Sequence, residues 1–201
     1  MNRALGRVVV MDIRIPRRAI FFGRFQPFHL GHLHVAEEIL TSDEYEELVF
    51  LIGMSSESHT ERNPFTAGER IEMIRLSMKE RGLDLSRVIT ATLPTMEIHP
   101  SSAFHAISNC PRAEAIYVGN PIMLRIFNEL GFKTVTPSPY RREIYNGTFI
   151  RLLMKKKDSR WKELVPISVA EFIESIGGVD RIAAISSQSE AHILEKGGSL
   201  E

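Results

Sequence analysis

The sequence predicts an α/β protein: a doubly wound parallel sheet of about five strands followed by a helical C-terminal part. Two patterns and one total carry that prediction. Apolar runs of strand length alternate with stretches of helical periodicity up to about residue 140, and beyond it the periodicity is helical alone. The 201 residues, 43% of them hydrophobic, suffice for one compact core.

Taken in order, residues 1–18 read as an N-terminal extension, and Met11 is a candidate alternative start. The compact domain is expected over 19–176. Strands are predicted at 19–23, 48–53, 88–92, 115–119 and 132–136, each a short apolar run of the kind buried on both faces of a parallel sheet. Between the first two, Leu33, Ala36, Ile39 and Leu40 recur at helical spacing, and Ile71, Ile74 and Met78 do the same in the next interval. Thr66 and Glu69, behind Pro64, have the spacing of a capping box. Asn120 as cap, Pro121 at the first helical position and Gly131 past the end bracket a third helix. Helices at 148–156, 160–164 and 168–176 follow, and Gly177-Gly178 is read as the end of the domain, leaving 177–201 as a weakly ordered tail.

Composition narrows the function classes. Lys+Arg 25 against Asp+Glu 25 leaves no net charge, which argues against an extended basic face for nucleic acid and for a local site. Cys110 is the only cysteine, so a disulfide framework is excluded and a reducing, cytoplasmic setting is expected. The apolar run Val8–Met11 is too short for a secretory core, and no run reaches the roughly 20 apolar residues of a membrane span.

The stretch Phe21-Phe22-Gly23-Arg24-Phe25-Gln26-Pro27-Phe28-His29-Leu30-Gly31-His32 joins the first strand to the first helix, where a doubly wound sheet places its ligand. Gly23 allows close approach to the backbone, Gly31 a tight turn, and free amides at the helix start favour an anion. His29 and His32 can donate to a triphosphate there, with Arg24 adding a permanent charge and a bidentate fork. Histidines at 29, 32 and 34 also raise a metal site, but no Cys or carboxylate cluster adjoins them to complete one, and His34 falls inside the helix. No protein-only metal site is predicted.

The segment resembles the His-x-Gly-His signature of the nucleotidyltransferase superfamily, whose fold is Rossmann-like. Its neighbours resemble the archaeal type of nicotinamide mononucleotide (NMN) adenylyltransferase: Gly-Arg-Phe-Gln-Pro-Phe-His at 23–29, Ser58-His59-Thr60-Glu61-Arg62-Asn63-Pro64-Phe65-Thr66-Ala67-Gly68-Glu69-Arg70, and Gly119-Asn120-Pro121. The similarity runs from about residue 19 to about residue 182. A second superfamily signature, a Ser/Thr turn followed by arginine at a late helix start, is similar to Tyr145-Asn146-Gly147-Thr148-Phe149-Ile150-Arg151, with Gly147 and Thr148 as flexible turn and hydroxyl cap.

The resemblance implies the reaction ATP + NMN to NAD + pyrophosphate, by direct in-line attack on the α-phosphate. His29, His32, Arg24 and Arg151 would be catalytic. Gly23, Phe25, Gly119, Asn120 and Thr148 would join them in binding ATP, and Arg62, Glu97 and Phe104 would take NMN. Glu97 stands where the family usually has Asp, and Phe104 where it has Trp; Arg70 reads as structural. Mg2+ would arrive on the ATP phosphates, and a homo-oligomer, commonly a hexamer in the archaeal type, is implied. The histidine turn itself reads only polyphosphate. Another acceptor (flavin mononucleotide, phosphopantetheine), a cytidylyl transfer and a non-enzymatic nucleotide sensor therefore stand as alternatives.

Overall fold

The computed structural model of the chain describes residues 14–137 and 143–197, residues 188–197 by their helical backbone only. Most of the expected extension, including Val8–Met11, and the last four residues of the expected tail lie outside the described residues.

Five strands, β1 (Arg18–Gly23), β2 (Glu47–Ile52), β3 (Val88–Thr92), β4 (Ala115–Val118) and β5 (Thr134–Val135), form one parallel sheet in the order β3-β2-β1-β4-β5. Residues of alternate parity face opposite layers, as the two-residue period of a strand requires. Ala19, Phe21, Leu48, Phe50 and Ile52 pack into a core with α1 (Leu30–Thr41), α2 (Ala67–Glu80), α5 (Gly147–Lys155), α6 (Ile167–Ser175) and α7 (Gly178–Gly197). Ile20, Val49, Leu51, Ile116 and Val118 pack with α3 (Pro100–Ser108) and α4 (Pro121–Glu129). Both faces are covered at the centre of the sheet, which is why β1, β2 and β4 read as apolar runs, while the edge strands β3 and β5 are only partly buried. The connection order reverses at β1, so the chain exits β1 and β4 to opposite sides and opens a crevice beyond their carboxyl ends.

The caps of two helices follow the sequence. Thr66 and Glu69 form the reciprocal capping box of α2, and the Asn120 side chain accepts from the Ile122 and Met123 amides at the start of α4, with Pro121 at its first position. Four features differ. The sequence predicts no helix at α3; Pro100 starts it, and its buried positions are the small Ser102, Ala103 and Ala106 while Phe104 is exposed, the reverse of the usual apolar-in pattern. The segment 160–164 is a 3-10 turn, Ser159–Leu164, rather than an α-helix. α5 is capped by Asn146, whose side chain accepts from the Phe149 amide, not by Thr148. Finally, Gly177-Gly178 does not end the ordered chain. Gly177 takes φ +63, closing α6 and reversing the chain directly into α7, where Ile182 is buried and the Arg181 guanidinium binds Glu69 through two 2.8 Å contacts.

Candidate active site

A cavity of about 590 Å3 lies beyond the carboxyl ends of the strands, within the range of about 300–1,000 Å3 usual for ligand pockets. Each strand end gives it wall: Gly23 and Arg24 after β1, Gly53 and Met54 after β2, Leu93 and Pro94 after β3, Gly119 and Asn120 after β4, Thr136 and Pro137 after β5. The turn at His29–His32 and the approach to α5 at Tyr145–Gly147 close one side.

The two histidines are held by their own helix start. His29 is the N-cap of α1, with extended backbone, and its Nδ1 accepts from the His32 amide at 3.3 Å. The His32 Nδ1 accepts in turn from the His29 amide, also at 3.3 Å, and the rings stack with centroids 3.5 Å apart. An imidazole whose Nδ1 accepts a backbone N–H carries its proton on Nε2. Both residues line the cavity, with Nδ1 engaged by backbone and the donor left at Nε2. Burial pushes the His29 pKa down to about 3; burial and then its neighbour His29 hold His32 well below the ordinary imidazole value. Gly31 makes the stack fit, because a Cβ there would lie 3.0 Å from the Tyr145 Cβ and 3.2 Å from the His29 Nδ1.

Four arginines surround this turn, and among the described residues none of them forms an ion pair. Arg24 and Arg62 line the cavity. Arg24 is held below the usual arginine range by burial and then by Arg62, with Glu57 partly offsetting both. Arg151 comes down to about 10 through burial, then through Arg24 and Arg62; Arg70 reaches about 10 through burial, then through Arg24. Burial comes first in each case, and the like charge of neighbouring guanidiniums, only partly offset by Glu57 at Arg24 and Glu69 at Arg70, adds to it.

Comparisons with known proteins bear on that geometry. The family model described as cytidylyltransferase-like matches residues 20–129. A nicotinamide-nucleotide adenylyltransferase of Saccharolobus solfataricus is 45% identical over 168 residues, 84% of this chain and 96% of its own. The chain belongs to the cytidylyltransferase-like family, in its archaeal NMN adenylyltransferase branch. An uncharacterized protein of Archaeoglobus fulgidus is likewise 48% identical over 173 residues, covering 86% of this chain and 98% of its own. Among solved structures, a bifunctional NMN adenylyltransferase/ADP ribose pyrophosphatase from Francisella tularensis, complexed with AMP and a manganese ion, matches with a TM-score of 0.66 at 21% identity. That likeness is one of fold; it covers 93% of this chain, and this chain spans 58% of that one.

Of the residues singled out by their resemblance to the adenylyltransferases, Gly23, Arg24, His29, His32, Arg62, Glu97, Gly119 and Asn120 line the one cavity. Four do not. Phe25 is buried at φ +52 among Phe21, Phe28, Phe50 and His32, so its side chain is core. Phe104 is 56% exposed and meets Phe132 edge-on at 6.0 Å, away from the wall, because the phase of α3 turns Ser102 rather than residue 104 to the cavity. Thr148 and Arg151 sit behind Gly147: Arg151 donates from Nη1 to the Gln26 carbonyl at 2.7 Å, from Nε to the Glu61 carbonyl at 3.0 Å and from Nη2 to the Thr148 hydroxyl at 3.4 Å. Arg151 thus anchors backbone, with its charge one layer from the wall. Sequence reasoning missed the Met96, Ile98 and Thr136 walls, which carry no distinctive residue type.

Arg70 is fully buried and caps strand ends. Its Nη1 donates to the carbonyls of Gly53 at 2.7 Å and Arg24 at 3.0 Å, and its Nη2 to that of Met54 at 3.1 Å. It therefore fixes the floor on which Arg24 stands and covers carbonyls whose negative ends would face an incoming anion.

Proposed function

We propose that the protein transfers the adenylyl group of ATP to NMN, giving NAD and pyrophosphate. The observation that carries this reading is the convergence, in one cavity, of two neutral histidines with Arg24 and Arg62, neither of which forms an ion pair among the described residues. That set suits a polyphosphate, and the names of the archaeal relatives supply the nucleotides.

In the step itself, a 5'-phosphate oxygen of NMN forms a bond to the α-phosphorus of ATP while the bond from that phosphorus to the bridging oxygen breaks, and pyrophosphate departs with the electron pair. A phosphate is already an anionic nucleophile, so no general base is required and catalysis rests on placement and charge. His29, His32 and Arg24 hold the polyphosphate and stabilise charge gathering on the leaving group. Arg62 meets the acceptor phosphate, Gly119 and Asn120 border the adenosine, Glu97 lies by the nicotinamide, and Arg151 adds its field from behind Gly147. Glu97 is the single carboxylate on the wall among the described residues. That donor set fits a Mg2+ carried by phosphate oxygens and water, whose contribution is to neutralise leaving-group charge. No described helix is long and apolar enough to cross a membrane. A cytoplasmic homo-oligomer completes the proposal, read by light scattering.

The test is incubation of purified protein with Mg2+, ATP and NMN, with flavin mononucleotide, phosphopantetheine and nicotinate mononucleotide in parallel, followed by chromatography. NAD and pyrophosphate in equal amounts are expected from NMN. Turnover with another acceptor alone would overturn the choice of acceptor, and nucleotide binding without any product would point to a sensor.

A further inference from the structure

We propose that Gln26 is a positioning residue that sets Arg62 in the active site, a role that rests on the transferase reading above. Arg62 stands in a short excursion whose base, Asn63 to Phe65, is buried while Glu61 and Arg62 are exposed. The excursion is closed locally: the Asn63 amide donates to the Thr60 hydroxyl at 3.1 Å and the Thr60 amide to the Asn63 carbonyl at 3.3 Å. Those contacts shape the turn, but they do not place it against the histidine loop. Gln26 does.

The Gln26 side chain is 3% exposed and reads the Phe65 backbone in both directions, donating from Nε2 to its carbonyl at 2.8 Å and accepting at Oε1 from its amide at 3.0 Å. On the other side of Arg62, the Arg151 Nε holds the Glu61 carbonyl while its Nη1 holds the carbonyl of Gln26 itself. Arg62 is thus bracketed at residues 61 and 65, and both brackets meet at Gln26. Gly147 seals the junction, since a Cβ there would lie 2.8 Å from the Gln26 carbonyl and 3.1 Å from the Arg151 Nη1. A primary amide carries a donor and an acceptor side by side, and here it pairs with the N–H and the C=O of one residue at once. An apolar residue of equal length fills the space and leaves both Phe65 groups unpaired, which frees the excursion.

The test is a double-mutant cycle with Gln26→Met and Arg62→Ala, each variant first shown to be folded by a cooperative thermal melt. Steady-state kcat and KM are then measured for ATP and NMN. Gln26→Met alone is expected to lower kcat/KM by roughly tenfold, in keeping with the sensitivity of catalysis to small misplacements. In the Arg62→Ala background the same change should cost less than about twofold, because no guanidinium is left to position. Losses that multiply would assign Gln26 a general structural role and overturn the inference, as would an Arg62→Ala variant of wild-type activity. If Gln26→Met does not fold, Gln26→Asn, too short to span both Phe65 groups, takes its place in the cycle. If the wild type turns over no acceptor, the functional reading fails. The inference is then judged on NMN binding by calorimetry, the ligand whose phosphate Arg62 is assigned to meet, where Gln26→Met must weaken affinity only when Arg62 is present.

Discussion

Replacing His29 with asparagine should make the fold more tolerant of acid. In the folded protein the His29 ring is buried with its Nδ1 engaged by the His32 amide, and burial lowers its pKa to about 3. In the unfolded chain it titrates near 6.5, the ordinary value of about 6.5 for imidazole. Between those values the unfolded state binds a proton that the folded state refuses, so the stabilisation is complete above about pH 6.5 and is lost progressively as pH falls towards 3. At pH 5 the deficit amounts to about 2 kcal/mol, almost independent of the exact folded value so long as it stays below about 4. Asparagine retains a side-chain oxygen for the N-cap of α1 and does not titrate. Urea unfolding at pH 7.5 and at pH 5 should show wild type losing about 2 kcal/mol more than His29→Asn, the carboxylates common to both cancelling in the difference. Equal losses would refute a neutral, buried imidazole at this position.

Gly147→Ala sets a Cβ 2.8 Å from the Gln26 carbonyl, and should cost about 1–3 kcal/mol in urea unfolding and lower kcat as α5 is pushed from the histidine loop. His32→Ala, which removes a donor from the cavity and the acceptor for the His29 amide, should lower kcat on the order of a hundredfold in steady-state assays of a still folded protein. Phe104→Ala should leave stability within about 0.5 kcal/mol and the KM for NMN within about twofold, because the ring is exposed and off the wall; a large rise in KM would return it to the nicotinamide. Arg181→Ala removes a half-buried bidentate partner of Glu69 and should cost about 1–3 kcal/mol, measured by thermal or urea melts, if α7 is integral to the domain.

What the sequence made legible is what is local. The β1 to α1 turn could be read because its chemistry, Gly23, Arg24, His29 and His32, sits within ten residues of chain between a recognisable strand and helix. The central strands could be read because both of their faces are buried, so that β1, β2 and β4 carry apolar runs, whereas β3 and β5 at the sheet edges are less buried and include threonines. α3 escaped because it buries Ser102, Ala103 and Ala106 and leaves Phe104 exposed, and α7 because a Gly pair reads as a terminator when Gly177 is in fact a tight reversal. Phe104 and Arg151 lie off the cavity wall for a related reason. A motif gives a residue's position on a helix but not the phase at which that helix meets the cavity, and one residue of phase moves a side chain by about 100°. Gln26 lay deepest, since its partners are the backbone groups of a residue 39 positions away that leave no mark on the sequence.

Arg70 and Arg151 also explain how a polyphosphate site can be positive without collapsing onto nearby acids. A carboxylate partner would relieve their burial most directly, but it would also cancel the field that the ligand needs and compete with it for the guanidinium. Here the buried guanidiniums are satisfied by backbone carbonyls of Gly53, Arg24, Met54, Gln26 and Glu61, which complete their hydrogen bonds while leaving the charge in place. Those same carbonyls belong to the loops that carry Arg24, the histidines and Arg62. One set of bonds therefore does two things: it solvates the cations that make the cavity positive, and it fixes the backbone from which the phosphate-facing groups project. What that design costs is burial of charge, which with the neighbouring guanidiniums brings Arg70 and Arg151 down to about 10, and in the proposed reaction the phosphates of the substrates supply the opposite charge.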